Sequence, residues 1–316
     1  MKVIDLINSS KSTAFSFEIL PPLKGNSIQK VYNVIDKLIE FDPKYINITS
    51  HHSEYIYKTL PDGSFQKVNI RKRPGSVAIA SAIQNKYGIT AVPHIICKGF
   101  TKDETEYALI DLNFLGVYDL LLLRGDVKTL EAGQKTDIYH EHATDLQQQV
   151  NDFNKGIAID GSVFEANETP FSYGMACYPE KHEEAPNMES DIFYLKEKVK
   201  NGADYLVTQM FFDNEKYYAF VDRCRAEGIT VPIIPGIKPI VIKNQLTVLP
   251  KIFRSDIPEP FATELRKCKT DDEAKAVGVE WCIQQCKDLI AHGVPSLHFY
   301  TMMASDSVYK VAKEVY

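Results

Sequence analysis

The stretch Ala14–Pro22, which reads AFSFEILPP, predicts a buried β-strand that stops at two prolines and carries one carboxylate, Glu18. Burying an ionised carboxylate costs free energy unless something nearby compensates it. One interpretation is a desolvated acid whose pKa is raised toward neutrality, as a general acid requires. The other is a strand-end glutamate that points to solvent or pairs with a lysine. The residue pattern alone leaves both interpretations open.

Strand-like runs alternate with helical patterns along nearly the whole chain. The predicted strands are Ala14–Leu20, Tyr45–Thr49, Thr90–Ile96, Asp119–Arg124, Ser172–Cys177, Tyr205–Gln209, Pro232–Pro235 and Ser296–Tyr300. The predicted helices are Ile28–Phe41, Val77–Tyr87, Lys102–Leu115, Thr144–Phe153, Asp191–Asn201, Asn214–Glu227, Ile242–Arg254, Pro258–Lys267, Asp271–His292 and Ser305–Val315. Eight such units favour a closed α/β fold, the (β/α)8 TIM barrel, over an open doubly wound sheet. No linker-like stretch divides the chain, so we expect a single domain over residues 1–316.

Two connections are longer than a barrel needs. Ser53–Ile70 predicts an added hairpin in the loop after the second strand, with its turn at Pro61-Asp62-Gly63. That loop lies on the face where barrel active sites form. Asn154–Phe171 lengthens a connection on the opposite face.

The composition is that of an ordinary globular protein. Its 316 residues include 36 Lys and Arg against 42 Asp and Glu, so at a net charge of −6 we expect no general attraction for nucleic acid or an anionic membrane. The segment MKVIDLINSSKS lacks the apolar core of a signal peptide, and no apolar run approaches the length of a membrane span. The six cysteines form no CxxC pair, and Cys282 and Cys286 alone are too few to bind zinc. We therefore expect a cytoplasmic protein with reduced thiols.

Unusual polar residues at the carboxyl ends of barrel strands indicate a catalytic pocket. Seven of the eight predicted strands deliver such residues, which are Glu18, Thr49, His94, Arg124, Gly125, Asp126, Tyr178, His182, Gln209, His298 and Tyr300. Some also have ordinary interpretations. Arg124-Gly125-Asp126 suits a turn with a surface ion pair, and His94 suits a hydrogen-bonded core histidine. Their recurrence at one rim favours a functional site.

Three further patterns are weaker. His140-Glu141-His142 has metal-ligand residue types, but two histidines two residues apart in a loop are weak evidence, and we predict no metal site. The segment with Lys67, Arg71, Lys72 and Arg73 is either a solvated basic loop or a contact for an anionic substrate tail. No GxGxxG or P-loop motif is present, which argues against a Rossmann or NTPase site.

The chain contains seven motifs in this order: FSFEILPP, YINIT, LLLLRGD, ACYPEKHEEA, LVTQMFFD, IIPGIKP and LHFYT. Together they closely resemble the methylenetetrahydrofolate reductase family of the catalytic-domain-only bacterial type. The resemblance covers nearly the whole chain and implies a flavoenzyme that holds FAD at the carboxyl face of a TIM barrel. It implies that NADH or NADPH reduces the flavin and leaves, and that 5,10-methylenetetrahydrofolate is then reduced to 5-methyltetrahydrofolate for methionine synthesis. The expected partners are the folate, the nicotinamide nucleotide and further copies of the chain. No fingerprint for a ribose 2′-phosphate distinguishes NADPH from NADH.

The resemblance also implies roles for individual residues. Glu18 matches the general acid that opens the five-membered folate ring, and Asp126 matches the acidic residue beside the flavin and pterin. Gln209 matches the side chain that meets folate and nicotinamide in turn, and Gln245 and Tyr300 are further expected substrate contacts. The positions that match flavin contacts are Thr49, His94, Arg124, Gly125, Asp126, His142, Ala143, Tyr178, His182, Ala185, Asp191 and Lys198.

The chain departs from the family pattern at two places. Ala304 stands where an arginine is expected to meet the folate's glutamate, and His142 stands where a tyrosine is often found near the flavin. Two rival interpretations concern other protein classes. A flavin barrel of the proline dehydrogenase kind is disfavoured by the strand with Glu18 and by the TQxFFD motif. A catalytically retired folate-binding subunit is disfavoured because Glu18, Asp126 and Gln209 are intact.

Overall fold

Parallel strands inside a layer of helices form a barrel in the computed structural model, which describes residues 1–51, 54–125, 138–302 and 304–316. The strands are β1 Ala14–Ile19, β2 Tyr45–Ile48, β3 Glu54–Thr59, β4 Phe65–Ile70, β5 Thr90–Ile96, β6 Asp119–Leu123, β7 Ser172–Cys177, β8 Tyr205–Thr208, β9 Ile233–Ile234, β10 Gly236–Ile237 and β11 Ser296–Tyr300. The helices are α1 Val3–Ser9, α2 Gln29–Leu38, α3 Ser76–Tyr87, α4 Lys102–Phe114, α5 Ala143–Asn154, α6 Met188–Lys200, α7 Asn214–Ala226, α8 Gln245–Phe253, α9 Glu259–Lys267, α10 Asp271–Ala291 and α11 Ser305–Val315. The predicted (β/α)8 TIM barrel is confirmed.

The barrel closes through a strand that a proline interrupts. β9 pairs with β8, β10 pairs with β11, and only Pro235 separates β9 from β10. Proline has no amide hydrogen for a ladder bond, but the Pro235 carbonyl accepts a hydrogen bond from the His298 amide at 3.1 Å. The seventh barrel strand therefore continues to Ile237, two residues beyond the predicted Pro232–Pro235.

Side chains alternate between the barrel interior and the helix layer because a strand has a period of two residues. The interior cluster includes Tyr45, Val92 and Val207, whereas intervening residues such as Ile46 and Leu206 pack outward in the main core. Several predicted polar residues, Glu18 and His94 among them, fall at inward positions near the carboxyl ends of their strands.

The added hairpin after β2 is also confirmed. β3 and β4 pair antiparallel outside the barrel sheet, with Thr59 opposite Phe65. The turn is closed by a bond from the Leu60 amide to the Ser64 carbonyl at 2.8 Å, and Gly63 supplies the positive φ that the turn needs. On the opposite face, the connection between α5 and β7 contains an isolated bridge of Ile157 with Val163.

A short helix at the start of the chain, which the sequence patterns did not predict, covers the amino end of the barrel. Val3 and Ile7 of α1 are buried and join the interior cluster. The Val3 amide donates to Asp119 Oδ1 at 2.8 Å, at the first residue of β6. Two apolar residues on seven positions give too weak a periodicity to predict a helix, so its stability must come from this packing.

We expect Asp119→Asn to stabilise the protein at neutral pH. Burial raises the pKa of Asp119 to about 6, and the bond from Val3 only partly opposes that effect. An acid whose folded pKa lies above its unfolded value favours folding at low pH, and this contribution is lost as pH rises from about 4 through about 6. Two pKa units correspond to about 3 kcal/mol, and asparagine can still accept from the Val3 amide.

Urea unfolding of both proteins at pH 4, 5, 6 and 7 measures this effect. The asparagine variant should gain stability over the native protein as pH rises, and the difference should level off above pH 7. A difference that stays constant across these pH values would contradict the expectation.

Within the residues described, no helix combines the length and the apolar character needed to cross a membrane.

Candidate active site

The carboxyl ends of the barrel strands bring those predicted polar residues that the structure describes to one rim. Register places Glu18 beside Asn47 on β2 and beside Tyr300 on β11. Ser16, two residues before Glu18, lies within hydrogen-bond distance of His298 Nδ1 at 3.0 Å inside the barrel. Glu18 has the same orientation, so it projects into the carboxyl half of the interior.

Glu18 is enclosed rather than pointing to solvent, since only 8% of the residue is exposed. Its Oε2 lies 3.9 Å from His94 Nε2, which is beyond hydrogen-bonding distance. Burial, with the nearby His298 and His51, lowers the pKa of His94 to about 3. The His94 imidazole is therefore neutral at pH 7 and supplies no cation that would hold Glu18 ionised. Enclosure disfavours the ionised carboxylate, and the neutral His94 does not offset that effect.

Tyr300 forms part of the wall beside Glu18. Its hydroxyl donates to the Thr208 carbonyl at 2.6 Å. This contact requires a glycine at position 236, because a Cβ there would lie 2.3 Å from the Thr208 carbonyl oxygen and 2.5 Å from the Tyr300 ring. Burial and the neighbouring Glu18 raise the pKa of Tyr300 well above its usual value. Tyr300 is therefore a neutral, fixed side chain whose ring can face a ligand while its hydroxyl is engaged in the wall.

Gln209 follows β8 at the same rim and is half-buried. Its backbone amide donates to the Cys177 carbonyl at 2.8 Å, and its Oε1 accepts from the Met210 amide at 2.9 Å. The first bond fixes the backbone of Gln209, and the second restrains its side chain. Its amide nitrogen makes no hydrogen bond to any described residue, which leaves two donors for a ligand.

A basic cluster, defined here as Arg124, His182 and Lys198, stands at the carboxyl ends of β6 and β7 and on α6. The Arg124 guanidinium forms a two-point ion pair with Glu184, and its buried Nε has no partner among the described residues. Lys198 Nζ donates to the Ala176 carbonyl at 3.1 Å. Burial lowers the pKa of Lys198 and of His182, while the charge of Asp191 opposes both shifts. The cluster therefore combines positive charge with an unused buried donor, as an anion site requires.

Four further predicted flavin-contact positions lie around this cluster. The His182 amide donates to Asp191 Oδ2 at 2.8 Å, and the Tyr178 ring packs edge-on against His182 at 4.7 Å between centroids. The Ala185 amide donates to the His182 carbonyl at 3.1 Å. Gly125 has a φ of 83° and a Cβ there would crowd Ile96 at 3.3 Å, so a side chain at this position would be strained.

Three more predicted flavin-contact positions, Thr49, His142 and Ala143, lie near the ends of other elements. Thr49 Oγ1 lies 3.2 Å from His51 Nε2 just beyond β2. His142 is exposed and begins α5 directly before Ala143, and its amide donates to Asp145 Oδ2 at 2.9 Å. Asp126, the predicted acidic neighbour of the flavin, lies outside the described residues.

Other sequence candidates have local structural tasks. Gln245 Oε1 accepts from the Val241 amide at 2.7 Å and the Ile242 amide at 3.3 Å, so the helix begins at Gln245 rather than at the predicted Ile242. Of the candidate metal residues, buried His140 hydrogen-bonds through Nε2 to Gln149 Oε1. No described group of three or more His, Cys, Asp or Glu side chains is arranged to hold a metal ion.

The basic loop after β4 is bound to the loop that follows β1. Arg71 Nε donates to the Arg73 carbonyl at 3.1 Å, and the Arg73 guanidinium hydrogen-bonds the Pro21 carbonyl. The Lys24 amide donates to the Lys72 carbonyl at 2.8 Å. These bonds give Arg73 a structural role, whereas Arg71 is exposed.

Sequence reasoning missed Lys238, which directly follows β10 and is buried. The motif IIPGIKP contained the signal, because its lysine lies two residues after Gly236 and therefore at an inward-facing position of the strand. The proline inside the strand concealed that alternation. Asn47 was missed as well, and its buried side-chain oxygen and nitrogen have no partner among the described residues.

Several curated proteins are similar in sequence to this chain. It is 30% identical over 315 residues to the probable methylenetetrahydrofolate reductase (NADPH) of Caenorhabditis elegans, covering 99% of this chain and 43% of that protein. Methylenetetrahydrofolate reductase (NADH) 1 of Arabidopsis thaliana is also 30% identical, with 49% of its length covered. The chain thus spans about half the length of these eukaryotic relatives. It covers 88% of the 5,10-methylenetetrahydrofolate reductase of Escherichia coli K12, at 30% identity over 297 residues.

The fold has a counterpart among solved structures, and a family profile matches the sequence. A Clostridium thermocellum protein that binds two copies of 5-methyl-5,6,7,8-tetrahydrofolic acid superposes with a TM-score of 0.54 at 14% identity, covering 98% of each chain. The profile of the family described as methylenetetrahydrofolate reductase matches residues 2–316. Together with the motifs on β1, β6, β7 and β8, this match means that the chain belongs to the methylenetetrahydrofolate reductase family.

Proposed function

We propose that the protein reduces 5,10-methylenetetrahydrofolate to 5-methyltetrahydrofolate with NADH or NADPH, in a ping-pong reaction through FAD that feeds methionine synthesis. The observation that carries this proposal is the enclosed Glu18 carboxyl on the inner face of β1, in a chain of this family. A buried acid on the active rim fits a reaction that must protonate a departing amine.

Glu18 would act as the general acid. Opening the five-membered ring of the substrate breaks a carbon–nitrogen bond, and the leaving nitrogen needs a proton. Glu18 Oε1 or Oε2 would donate that proton. The neutral His94 beside it carries no positive charge that would favour the deprotonated carboxylate. The walls formed by Tyr300 and the barrel interior would exclude water that could compete as proton donor.

The basic cluster would hold the pyrophosphate of FAD. Arg124 has an unused buried Nε, Lys198 adds an ammonium group, and His182 adds an imidazole that can hydrogen-bond without carrying charge. Thr49, His94, Gly125, His142, Ala143, Tyr178, Ala185 and Asp191 would line the rest of the cofactor site. When bound, FAD would supply the hydride acceptor and donor that couples the two substrates. Gly125 would let the backbone approach the cofactor closely because it has no side chain.

The substrates would meet the opposite side of the pocket. Gln209 would offer its free amide nitrogen to nicotinamide and folate in turn, and the Tyr300 ring would flank the pterin. Gln245 would use its amide nitrogen, because its oxygen is bound to the backbone. Asp126 would be the acidic residue beside the flavin and pterin, a role that rests on the family motif RGD alone.

We further propose that residues 1–316 form one catalytic domain, that the chain assembles as a homo-oligomer, and that it works in the cytoplasm. All six cysteines are free and buried, which supports a reducing compartment. We propose no nucleic acid or membrane partner.

Two half-reactions test the proposed function. The purified protein should be yellow, NADH or NADPH should bleach it under anaerobic conditions, and 5,10-methylenetetrahydrofolate should restore the colour. Protein that binds folate but is colourless and does not bleach would instead support a retired folate-binding subunit. Bleaching without reoxidation by the folate would contradict the proposed substrate.

A further inference from the structure

Lys238 is a charged residue in the barrel to which the proposed reaction gives no task. It follows β10 directly and only 3% of it is exposed. Lysine is almost never buried to this extent without a partner for its charge. Gly236 faces inward, as the close approach of the Tyr300 ring to it shows. Lys238 lies two residues further along and therefore faces the same interior.

Strand register places Lys238 and Glu18 on opposite sides of Tyr300. Ile237 on β10 pairs with Phe299 on β11, so Lys238 comes level with Tyr300, and Glu18 on β1 pairs with Tyr300 from the other side. Neighbouring strands lie about 4.8 Å apart, which puts the backbones of β1 and β10 about 10 Å apart. Extended lysine and glutamate side chains can together span that gap.

Two titratable side chains close to Glu18, those of His94 and Tyr300, are neutral. His94, from β5, has a pKa of about 3 because it is buried, and the pKa of Tyr300 is raised well above its usual value. Burial lowers the pKa of Lys238 itself, and the charge of Glu18 is the larger of the two opposing effects, followed by the thiol of Cys282 on α10. The positive charge of Lys238 therefore interacts with the carboxyl group of Glu18.

We propose that Lys238 is a positioning residue that sets the protonation state of Glu18. Burial weakens Glu18 as an acid, because it disfavours the charged carboxylate. A cation two strands away, on the far side of β11, counteracts that burial and brings the acid into the working range. The same cation stabilises the carboxylate that Glu18 becomes once its proton has moved to the folate nitrogen.

The inference rests on the proposed function, and Lys238→Met tests it. The rate of folate reduction should fall as pH rises through the pKa of Glu18, because the acid must be protonated. Removing the neighbouring cation raises that pKa, so the fall in rate should move to higher pH by at least about one unit. Lys238→Arg keeps the charge and should keep the wild-type pH profile. Lys251→Met, the same change at an exposed lysine on α8, should also leave the profile in place.

A second readout does not depend on activity. Glutamate carboxyl ¹³C resonances of the purified protein, with Glu18 assigned by comparison with Glu18→Gln, report its titration directly. A higher Glu18 pKa in Lys238→Met supports the proposal, and an unchanged one overturns it. If the methionine variant does not fold, Lys238→Gln replaces it in both measurements.

The two proposals fail differently. Wild-type protein that reduces no methylenetetrahydrofolate at any pH contradicts the proposed function, while the NMR titration still decides the role of Lys238. Wild-type protein that reduces the folate, with the same pH profile and Glu18 pKa in Lys238→Met, contradicts only the role of Lys238. In that case the lysine is a packing residue of the barrel interior.

Discussion

Glu18→Gln should still bind FAD and be reduced by NADH or NADPH at a nearly normal rate, yet reduce methylenetetrahydrofolate about 10²- to 10⁴-fold more slowly. Glutamine has the shape of glutamate but no acidic proton. Glu18 is nearly enclosed and its neighbour His94 is neutral, so neither water nor the imidazole can supply the missing proton efficiently. Hydride transfer from the nicotinamide needs no protein acid. Stopped-flow absorbance of each half-reaction measures the two rates separately.

A matched control separates this effect from a general loss of carboxylate charge. Glu215→Gln makes the same change at an exposed position of α7 and should leave both half-reactions unaltered. Near-normal reduction of the folate by Glu18→Gln would rule out Glu18 as the general acid. Equal slowing of both half-reactions would indicate a structural effect of the substitution.

Gln209→Ala should impair both half-reactions. In a ping-pong reaction the two flat substrates occupy one face of the flavin in turn, and the amide nitrogen of Gln209 is available to either. Loss of a buried hydrogen bond costs about 1–3 kcal/mol, which corresponds to a rate or affinity loss of about 5- to 150-fold for each substrate. Stopped-flow measurements over a range of NADH and folate concentrations separate weaker binding from slower transfer.

Gln284→Ala, at an exposed position of α10, is the control for this change and should behave as wild type. An effect on only one substrate would restrict Gln209 to that substrate. Unaltered kinetics with both substrates would show that its amide nitrogen faces neither of them.

The strands of the barrel were predictable because each is marked by a local sequence pattern. Thr90–Ile96, Ser172–Cys177 and Ser296–Tyr300 begin and end where the sequence places them. Each is a short apolar run between turn residues, and a buried parallel strand needs nothing more to be recognised. The polar residues at their carboxyl ends followed from the same pattern.

The sequence was less informative where a feature depends on contacts between distant segments. Helix α1 is too short to be stable alone and forms against the interior cluster and Asp119. The seventh strand continues past Pro235 because β8 and β11 hold its two halves. Lys238 lies beyond the predicted strand Pro232–Pro235, and only the continuation of the strand places it inside the barrel.

By itself, the sequence determined the barrel, the hairpin after its second strand and the rim on which Glu18 and Gln209 lie, because period-two burial and turn residues are local properties. Only the tertiary structure decided what surrounds those residues. It placed a neutral His94 at 3.9 Å from Glu18, bound the Tyr300 hydroxyl to the wall and buried Lys238 two strands away from the acid. Proton affinity depends on burial and on charges from other strands, and those distances exist only once the barrel has closed.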